Sequence, residues 1–588
     1  MLVSCGGGGG SSTTTDTDSS SVSGSSNSST TSDTESEDFE TNTDTSLVRS
    51  DAVTIEYNDG SVTINNPFES SGVTVSKSGA VVEINSTVSS TEINYVVSGT
   101  SDNASLKIYS DYKFNLVLNG VDITSEDGSA VNIQSSKKTT VELVDGTSNR
   151  LIDSDTYTAY GDEDMKGTLF SEGQLFFTGD GTLRVKSGTK HAIVSDDYVK
   201  IESGTITVSG AGKDGIHAND YFEMTGGTLN ITSEGDGIDS EGYILIDSGT
   251  LTVSATGDAS KAVKSDGDTT INGGELTLST SGDAYFDTDD QDTTSSAGIK
   301  ADGIFTVNGG TITISSTGTG GKGISADGDI VMTDGTVTVT TSGSQYIYSS
   351  TVDTAAKGVK SDSNVTISGG QLTIETSTTE AEGLESKDTL IINGGTVEIT
   401  AYDDAINASN SVEINGGSVY AYSTVNDAID SNGTMAITGG VIVASGSAAP
   451  EAGFDCDNSS FIITGGILIG TGGSTSTPTT GSSYQNSVVY TAQVSQNTTI
   501  HVQSSGGTDI LSYKMPRSYS GSSVILFSAP GLATGTTYNI YTGGTSSGSS
   551  SFHGLYTAEA YSGGTSATSF TISSNVTTVG SSSGSGRP

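Results

Sequence analysis

The stretch INGGTVEITAYDDAINASNSVEINGGSVYAYSTVNDAID, residues 392–430, contains one unit twice. Ile-Asn-Gly-Gly recurs with its second glycine at Gly395 and Gly417, and Asp-Ala-Ile recurs at Asp404 and Asp427. Between these markers lie short segments, such as TVEIT and SVYAY, in which apolar and polar residues alternate. That period of two is the mark of a strand with one buried and one wet face. A unit this short, with two or three strands and tight glycine turns, is one coil of a parallel β-helix, whereas a propeller blade needs about 40 residues or more.

The same turn marks the chain from Gly181 to Gly466, at intervals of 22–26 residues with two exceptions, 36 and 35. The expected architecture is all-β: a right-handed parallel β-helix of ~22–25-residue coils with a small C-terminal β segment. The long intervals carry insertions at 282–296 and 342–354, separated by one ordinary coil, so both are expected on the same side of the rod, about 10 Å apart. Residues 51–180 read as irregular N-terminal coils and a cap, 181–470 as the regular helix, 471–483 as a linker, 484–545 as the C-terminal β segment and 546–588 as a low-complexity tail.

The 588 residues include 78 Gly but 6 Pro and no Trp, a composition suited to many short strands and turns. With 23 Lys and Arg against 70 Asp and Glu, the net charge is −47, which excludes nucleic acid as a partner. Two cysteines, Cys5 and Cys456, make no disulfide framework, and Cys456 reads as a packing residue. No run of 18 apolar residues occurs, so no transmembrane helix is expected. Leu2-Val3-Ser4 before Cys5 looks like the end of a bacterial lipoprotein signal, and 6–50 is a Gly/Ser/Thr/Asp segment fit for a flexible tether. The expectation is a lipid on Cys5 as the sole membrane attachment, a monomer, and a place on the bacterial cell surface outside the cytoplasm.

A second signature recurs in each coil: x, then Gly or Ala, then an apolar residue, then y. Down the coils, x reads Asp214, Asp236, Lys261, Ala297, Lys322, Lys357, Glu382, Asp404, Asp427 and Ala452, and y reads His217, Asp239, Lys264, Lys300, Ser325, Lys360, Glu385, Asn407, Asp430 and Asp455. Residues in one file stack about 4.8 Å apart, so unpaired like charges repel. Carboxylates and amides at that separation can surround Ca²⁺, which takes six to eight oxygens. The main candidate ligands are Glu382, Glu385, Asp403, Asp404, Asn407, Asp427 and Asp430. A second set is Asp214, Asp236 and Asp239, and a third, in the first insertion, is Asp283, Asp287 and Asp289. The alternative is that these acids only face water. Mid-file lysines Lys300, Lys357 and Lys360, with Tyr285, Phe286, Tyr346 and Tyr348 of the insertions, suit an extended anionic sugar; the alternative is that these lysines only neutralise neighbouring acids. No spacing pairs His191, His217, His501 and His553.

Several phrases resemble a known family: LVLNGVDITSEDGSAVNI (116–133), VELVDGTSNRLID (141–153), GTLFSEGQLFFTGDGTLRV (167–185), KDGIHANDYFEMTGG (213–227), GDGIDSEG (235–242), AEGLESKD (381–388) and DDAINASN (403–410). Residues 510–544 are similar to that family's C-terminal strands. The family is the bacterial carbohydrate-binding β-helix family first described from a cellulolytic clostridium, pectate-lyase-like in fold and calcium-bearing. The resemblance implies binding of cellulose or acidic, pectin-like polysaccharide, calcium within the helix, and no demonstrated catalysis. The chain departs from the family pattern where Lys261 and Lys264 replace an acid-bearing repeat. Two alternatives stay open: a calcium-dependent polysaccharide lyase, with Lys300 or Lys360 as base, and a structural adhesin or stalk stiffened by calcium.

Overall fold

The computed structural model describes residues 51–158, 161, 163–458, 460–547, 551–557 and 560–580; Cys5 and the segment 6–50 lie outside them. The chain forms an all-β parallel solenoid of about 16 turns. Each regular coil places one strand on each of three walls. In one such coil Ile406–Ala408 lies on the first wall, Ser411–Ile414 on the second and Ser418–Ser423 on the third, before Ile429–Ser431 starts the next. Successive coils pair in parallel and without slip: Ile406 lies on Ile429, Val412 on Met435 and Val419 on Ile442. Alternate residues point inward as continuous files of Ile, Val and Leu, almost all fully buried. Each such side chain contributes about 1.5–3 kcal/mol of burial.

The corner between second and third walls needs backbone that L-residues avoid. The second glycine of each turn, from Gly204 to Gly466, has φ between 76° and 104°. In the earliest turn that role falls to Gly179 rather than Gly181. The small residue after x has a different cause. A Cβ on Gly383 would sit 2.3 Å from Ile399 Cγ2 and 2.5 Å from the Ala405 carbonyl oxygen. Where the position is alanine instead, at Ala405 and Ala428, the residue at the same offset is small as well, Ala421 and Ala444. One inward file on the first wall is small or hydroxylic (Ser361, Ser386, Ala408, Ser431) and ends at buried Cys456, whose thiol meets the Gly433 carbonyl at 3.4 Å.

Both ends are closed by antiparallel pairing. Ala52–Asn58 with Ser61–Asn65, and Val73–Ser78 with Ala80–Ser86, are hairpins laid on the first rungs. At the far end Ile467–Gly472 pairs antiparallel with Ser523–Ser528. The stretch read as a linker, 471–483, instead lies along the last rung, where the Ser476 and Thr479 amides donate to the Phe454 and Phe461 carbonyls. Open rung edges leave such groups unpaired, which explains the arrangement. The stretch read as a tail, 546–588, is also partly built. Thr565–Thr571 pairs with Thr537–Thr542, and Val576–Val579 pairs with Ser487–Ala492, because Phe570, Ile572 and Val579 supply buried anchors among the Ser and Thr. Both C-terminal stretches dock back on the rod, the 484–545 segment with Arg517 over the Tyr422 ring at 3.9 Å and the 546–588 stretch with His553 stacked on Tyr420 at 3.7 Å.

The size match across each rung is testable. Gly383→Ala is expected to cost about 1–3 kcal/mol by overpacking. Combined with Ile399→Ala, it should cost less than the sum of the two single changes, measured by denaturant unfolding. Strictly additive costs would show that the two side chains do not meet.

Candidate functional site

The x and y files are real columns. Down the first wall Asp239 lies on Lys264, Lys264 on Lys300, Lys300 on Ser325, Ser325 on Lys360, Lys360 on Glu385, Glu385 on Asn407, Asn407 on Asp430 and Asp430 on Asp455. Asp404 and Asp427 occupy the corner that leads into this wall. There the Asp427 amide donates to Asp404 Oδ1 at 3.0 Å, and the Ala452 amide donates to Asp427 Oδ1. Each corner acid thus ties its own rung to the next.

The columns differ in how their charge is compensated. Lys357 holds both Glu382 (2.8 Å) and Glu385 (3.3 Å), and Lys387 also contacts Glu385. Burial pushes the Glu385 carboxyl up, but Lys357 and Lys387 outweigh it and hold it below the ordinary range. One rung on, no lysine is present. Asp404 and Asp427 are 5 % and 7 % exposed, and neither has an ion-pair partner among the described residues. Burial, with Asp430, Asp403 and Asp427 beside it, pushes Asp404 up to about 10. Burial, with Asp455, Glu451 and Asp430, pushes Asp427 up to about 8. Burial also raises Asp403. Carboxyl oxygens of Asp427, Asp430 and Asp455 lie within 4.8 Å of one another. This all-oxygen set suits a hard divalent cation.

The other two acid sets differ from this one. Asp239 is taken by Lys264 (2.9 Å) and His217 (3.0 Å), while Asp236 Oδ1 accepts the Lys261 amide at 2.6 Å and burial raises its carboxyl to about 6. Asp214 stands with His191 and His217, within 4.8 Å, so the structure corrects the reading that no histidines pair. In the insertion, Asp283 Oδ1 accepts the Thr319 amide and Asp287 Oδ1 accepts the Asp289 amide, both at 2.8 Å. Among the described residues these acids are not gathered into a third triad.

The lysine belt is spoken for. Lys300 pairs with Asp302 and Asp327, and Lys360 with Asp362. Lys322, half-buried beneath the second insertion, donates to the Gly320 and Ala355 carbonyls and to Thr354 Oγ1; desolvation, with Lys357 and Lys360 near, lowers its pKa to about 7. The insertions themselves are two hairpins, Tyr285–Asp287 with Asp292–Thr294 and Tyr346–Ile347 with Asp353–Thr354. They meet through Phe286 and Tyr348, stacked at 3.9 Å and 6°. Tyr346 is half-buried, while Tyr285, Ile347 and Tyr348 are exposed, forming an aromatic wall at the margin of the third wall.

Three features escaped the sequence reading. Tyr198, Tyr221 and Tyr243 stack at 4.7 Å in a corner file; their shared place at the end of DDY, NDY and EGY, at the entry to a second-wall strand, was the available signal. Arg150, Arg184 and Lys186 line an open groove of about 390 Å³ with Ile152 and Ser209, and the alternation in TLRVK puts Arg184 and Lys186 on one face. The outward face of the third wall is a hydroxyl array. On the five strands from Thr228–Ser233 to Thr336–Thr341, only Asn230 and Glu275 among the outward residues lack a hydroxyl. Its central file runs Thr252, Thr277, Thr313, Thr338 and Thr373 in register. In the C-terminal segment His501 lies between Ser512 Oγ (2.8 Å) and Asp509 (3.1 Å), but Ser512 is 4 % exposed and His501 1 %, so this is a buried brace rather than a nucleophile.

The family model of carbohydrate-binding domain-containing proteins matches residues 70–342, 316–381 and 377–584. A carbohydrate-binding domain-containing protein of Acetivibrio thermocellus is 32% identical over 111 residues, 18% of this chain and 39% of that protein, so the chain spans about two fifths of the relative's length. The solved polysaccharide lyase-like protein from C. thermocellum, a gadolinium derivative, aligns with 25% identity over 44% of this chain and 96% of its own, at a TM-score of 0.37. With more than half its length matched to that one family model, and a β-solenoid to carry it, the chain belongs to the carbohydrate-binding domain family.

Proposed function

We propose that this chain is a calcium-dependent, polysaccharide-binding protein of the bacterial surface, and that its binding surface is the hydroxyl face of the third wall. The observation that carries this reading is the near-absence of charge on that face's five strands from Thr228–Ser233 to Thr336–Thr341 in a chain of net charge −47. Threonine is stiff at χ1, so its hydroxyls are held in place before any ligand arrives. Each hydroxyl hydrogen bond adds only about 0.5–1.5 kcal/mol net, so useful affinity needs a repeating ligand set against a repeating array. A neutral, cellulose-like polysaccharide meets that demand, and the Tyr285, Ile347 and Tyr348 wall offers apolar surface for the sugar faces. A second reading, acidic pectin-like polysaccharide, is favoured by the Arg150, Arg184 and Lys186 groove, where Arg184 and Lys186 have no ion-pair partner among the described residues. A lipid on Cys5 would tether the rod outside the cell.

Calcium enters this reading at Asp404, Asp427, Asp430 and Asp455, with Asp403 and Asn407 beside them. Bound there, the ion would supply the positive charge that lysines supply at Glu382 and Glu385.

Retention on insoluble cellulose is expected to fall about tenfold or more in Thr313→Glu/Thr338→Glu, and to fall less in Tyr348→Ala, with circular dichroism unchanged. Arg184→Glu/Lys186→Glu should leave cellulose retention intact and reduce only polygalacturonate retention. Full cellulose retention by the double Glu variant would remove the third wall as the surface.

The calcium reading has its own check. Because the folded pKa values of Asp404 and Asp427 are raised, the folded chain keeps protons that the unfolded chain releases. That contribution to stability is full below about pH 4 and is lost as pH rises through the folded values. In chelator the melting temperature should therefore decline from about pH 5 to about pH 9, and millimolar calcium should flatten that slope. Asp404→Asn/Asp427→Asn should remove most of the slope above about pH 7 and abolish the calcium response. A wild-type melting temperature indifferent to calcium would remove the ion from this cluster.

A further inference from the structure

We infer that His191, Asp214 and His217 form a second metal centre, selective for a borderline transition-metal ion such as Zn²⁺ and separate from the oxygen cluster. The three residues come from two adjacent rungs: Val194 lies on His217, and the Asp214 carbonyl accepts the Ala192 amide. His191 Nδ1 is 2.9 Å from Asp214 Oδ2, and His217 Nδ1 is 3.8 Å from the same oxygen. In a tetrahedral zinc site, with ligands at about 2.0–2.2 Å, neighbouring ligand atoms stand roughly 3.3–3.5 Å apart. The two observed separations bracket that spacing. The side chains are only 14 %, 14 % and 17 % exposed, so the cluster sits largely out of water.

The nitrogens and oxygens of the three side chains converge. His191 Nδ1 faces Asp214 Oδ2, with the Asp214 amide in a longer contact at 3.3 Å. A cation between Nδ1 and Oδ2 would take the nitrogen lone pair in place of that long contact and neutralise the carboxylate. His217 Nδ1 likewise faces carboxylates, Asp214 at 3.8 Å and Asp239 at 3.0 Å. With Nδ1 on a metal, its Nε2–H points toward Glu241 Oε1, 3.7 Å away, the outer carboxylate that commonly orients a ligating histidine. Two imidazole nitrogens and one carboxylate oxygen are a poor set for calcium and a good one for zinc, leaving a fourth position for water or a ligand group. Eight rungs of about 4.8 Å separate His217 from Asp430, so the two centres are about 38 Å apart.

The test uses the full chain, stripped with chelator and titrated with Zn²⁺ by calorimetry in the presence of excess Ca²⁺, and with Co²⁺ by visible absorption. One equivalent of Zn²⁺ is expected that calcium does not displace, together with the intense visible bands of four-coordinate cobalt. His217→Gln and His191→Gln should each weaken zinc at least about 100-fold and erase those bands. Asp404→Asn/Asp427→Asn should change neither. A zinc affinity unmoved by both histidine changes, or zinc displaced by equimolar calcium, would overturn the assignment. Should a Gln variant fail to fold, wild-type Co²⁺ bands of six-coordinate, all-oxygen type would overturn it equally. Because the readouts are metal binding, they stand or fall apart from polysaccharide retention.

Discussion

Rungs of a parallel solenoid share their backbone hydrogen bonds, so each coil must lie in register on the one before it, about 4.8 Å away. That spacing is shorter than any side chain can use to escape its neighbour. A residue type repeated at one position of the coil therefore becomes a column, and a column of like groups must find compensation or destabilise the rod. Much of this protein's chemistry follows from how each column settles that demand.

The same carboxylate file settles it in different ways along its length. At Glu382 and Glu385, Lys357 and Lys387 bring opposite charge. At Asp239, Lys264 and His217 do so. At Asp404 and Asp427 backbone amides use one oxygen of each carboxylate, and the remaining charge has no side-chain counterpart among the described residues. The five third-wall strands from Thr228–Ser233 to Thr336–Thr341, where only Glu275 of the outward residues is charged, are the opposite case. Their hydroxyl columns have no charge to settle, and this lets them lie flat, regular and open.

The coil length and the membership of the columns were legible from spacing alone, because register leaves the chain little choice; the choice between two and three strands per coil was not. Asp404 and Asp427 could be placed in one file on periodicity, and the structure puts them there. What stayed hidden depends on side-chain direction and on contacts between distant segments. Lys357 reads as a free cation in the file until its reach to Glu382 is seen. His191 stands at x in HAIV, one coil before the first coil that the sequence reading included, and Val194 stands at y, so the signature alone did not bring it to His217; the turn of both rings toward Asp214 does so. Segments 471–483 and 546–588 look like connector and tail by composition. A rung edge with unpaired carbonyls recruits the first, and a few anchors such as Phe570 hold the second.

The stack of Phe286 on Tyr348 joins two hairpins whose coils are separated by an ordinary one, and Lys322 of that middle coil bonds to the base of the second hairpin. Along the regular middle of the rod each coil pairs with its two neighbours, so under tension it peels one turn at a time. At this clasp three turns are bound into one mechanical element. A pull along the rod would load that element as a rip-stop, arresting the peel midway along the shaft.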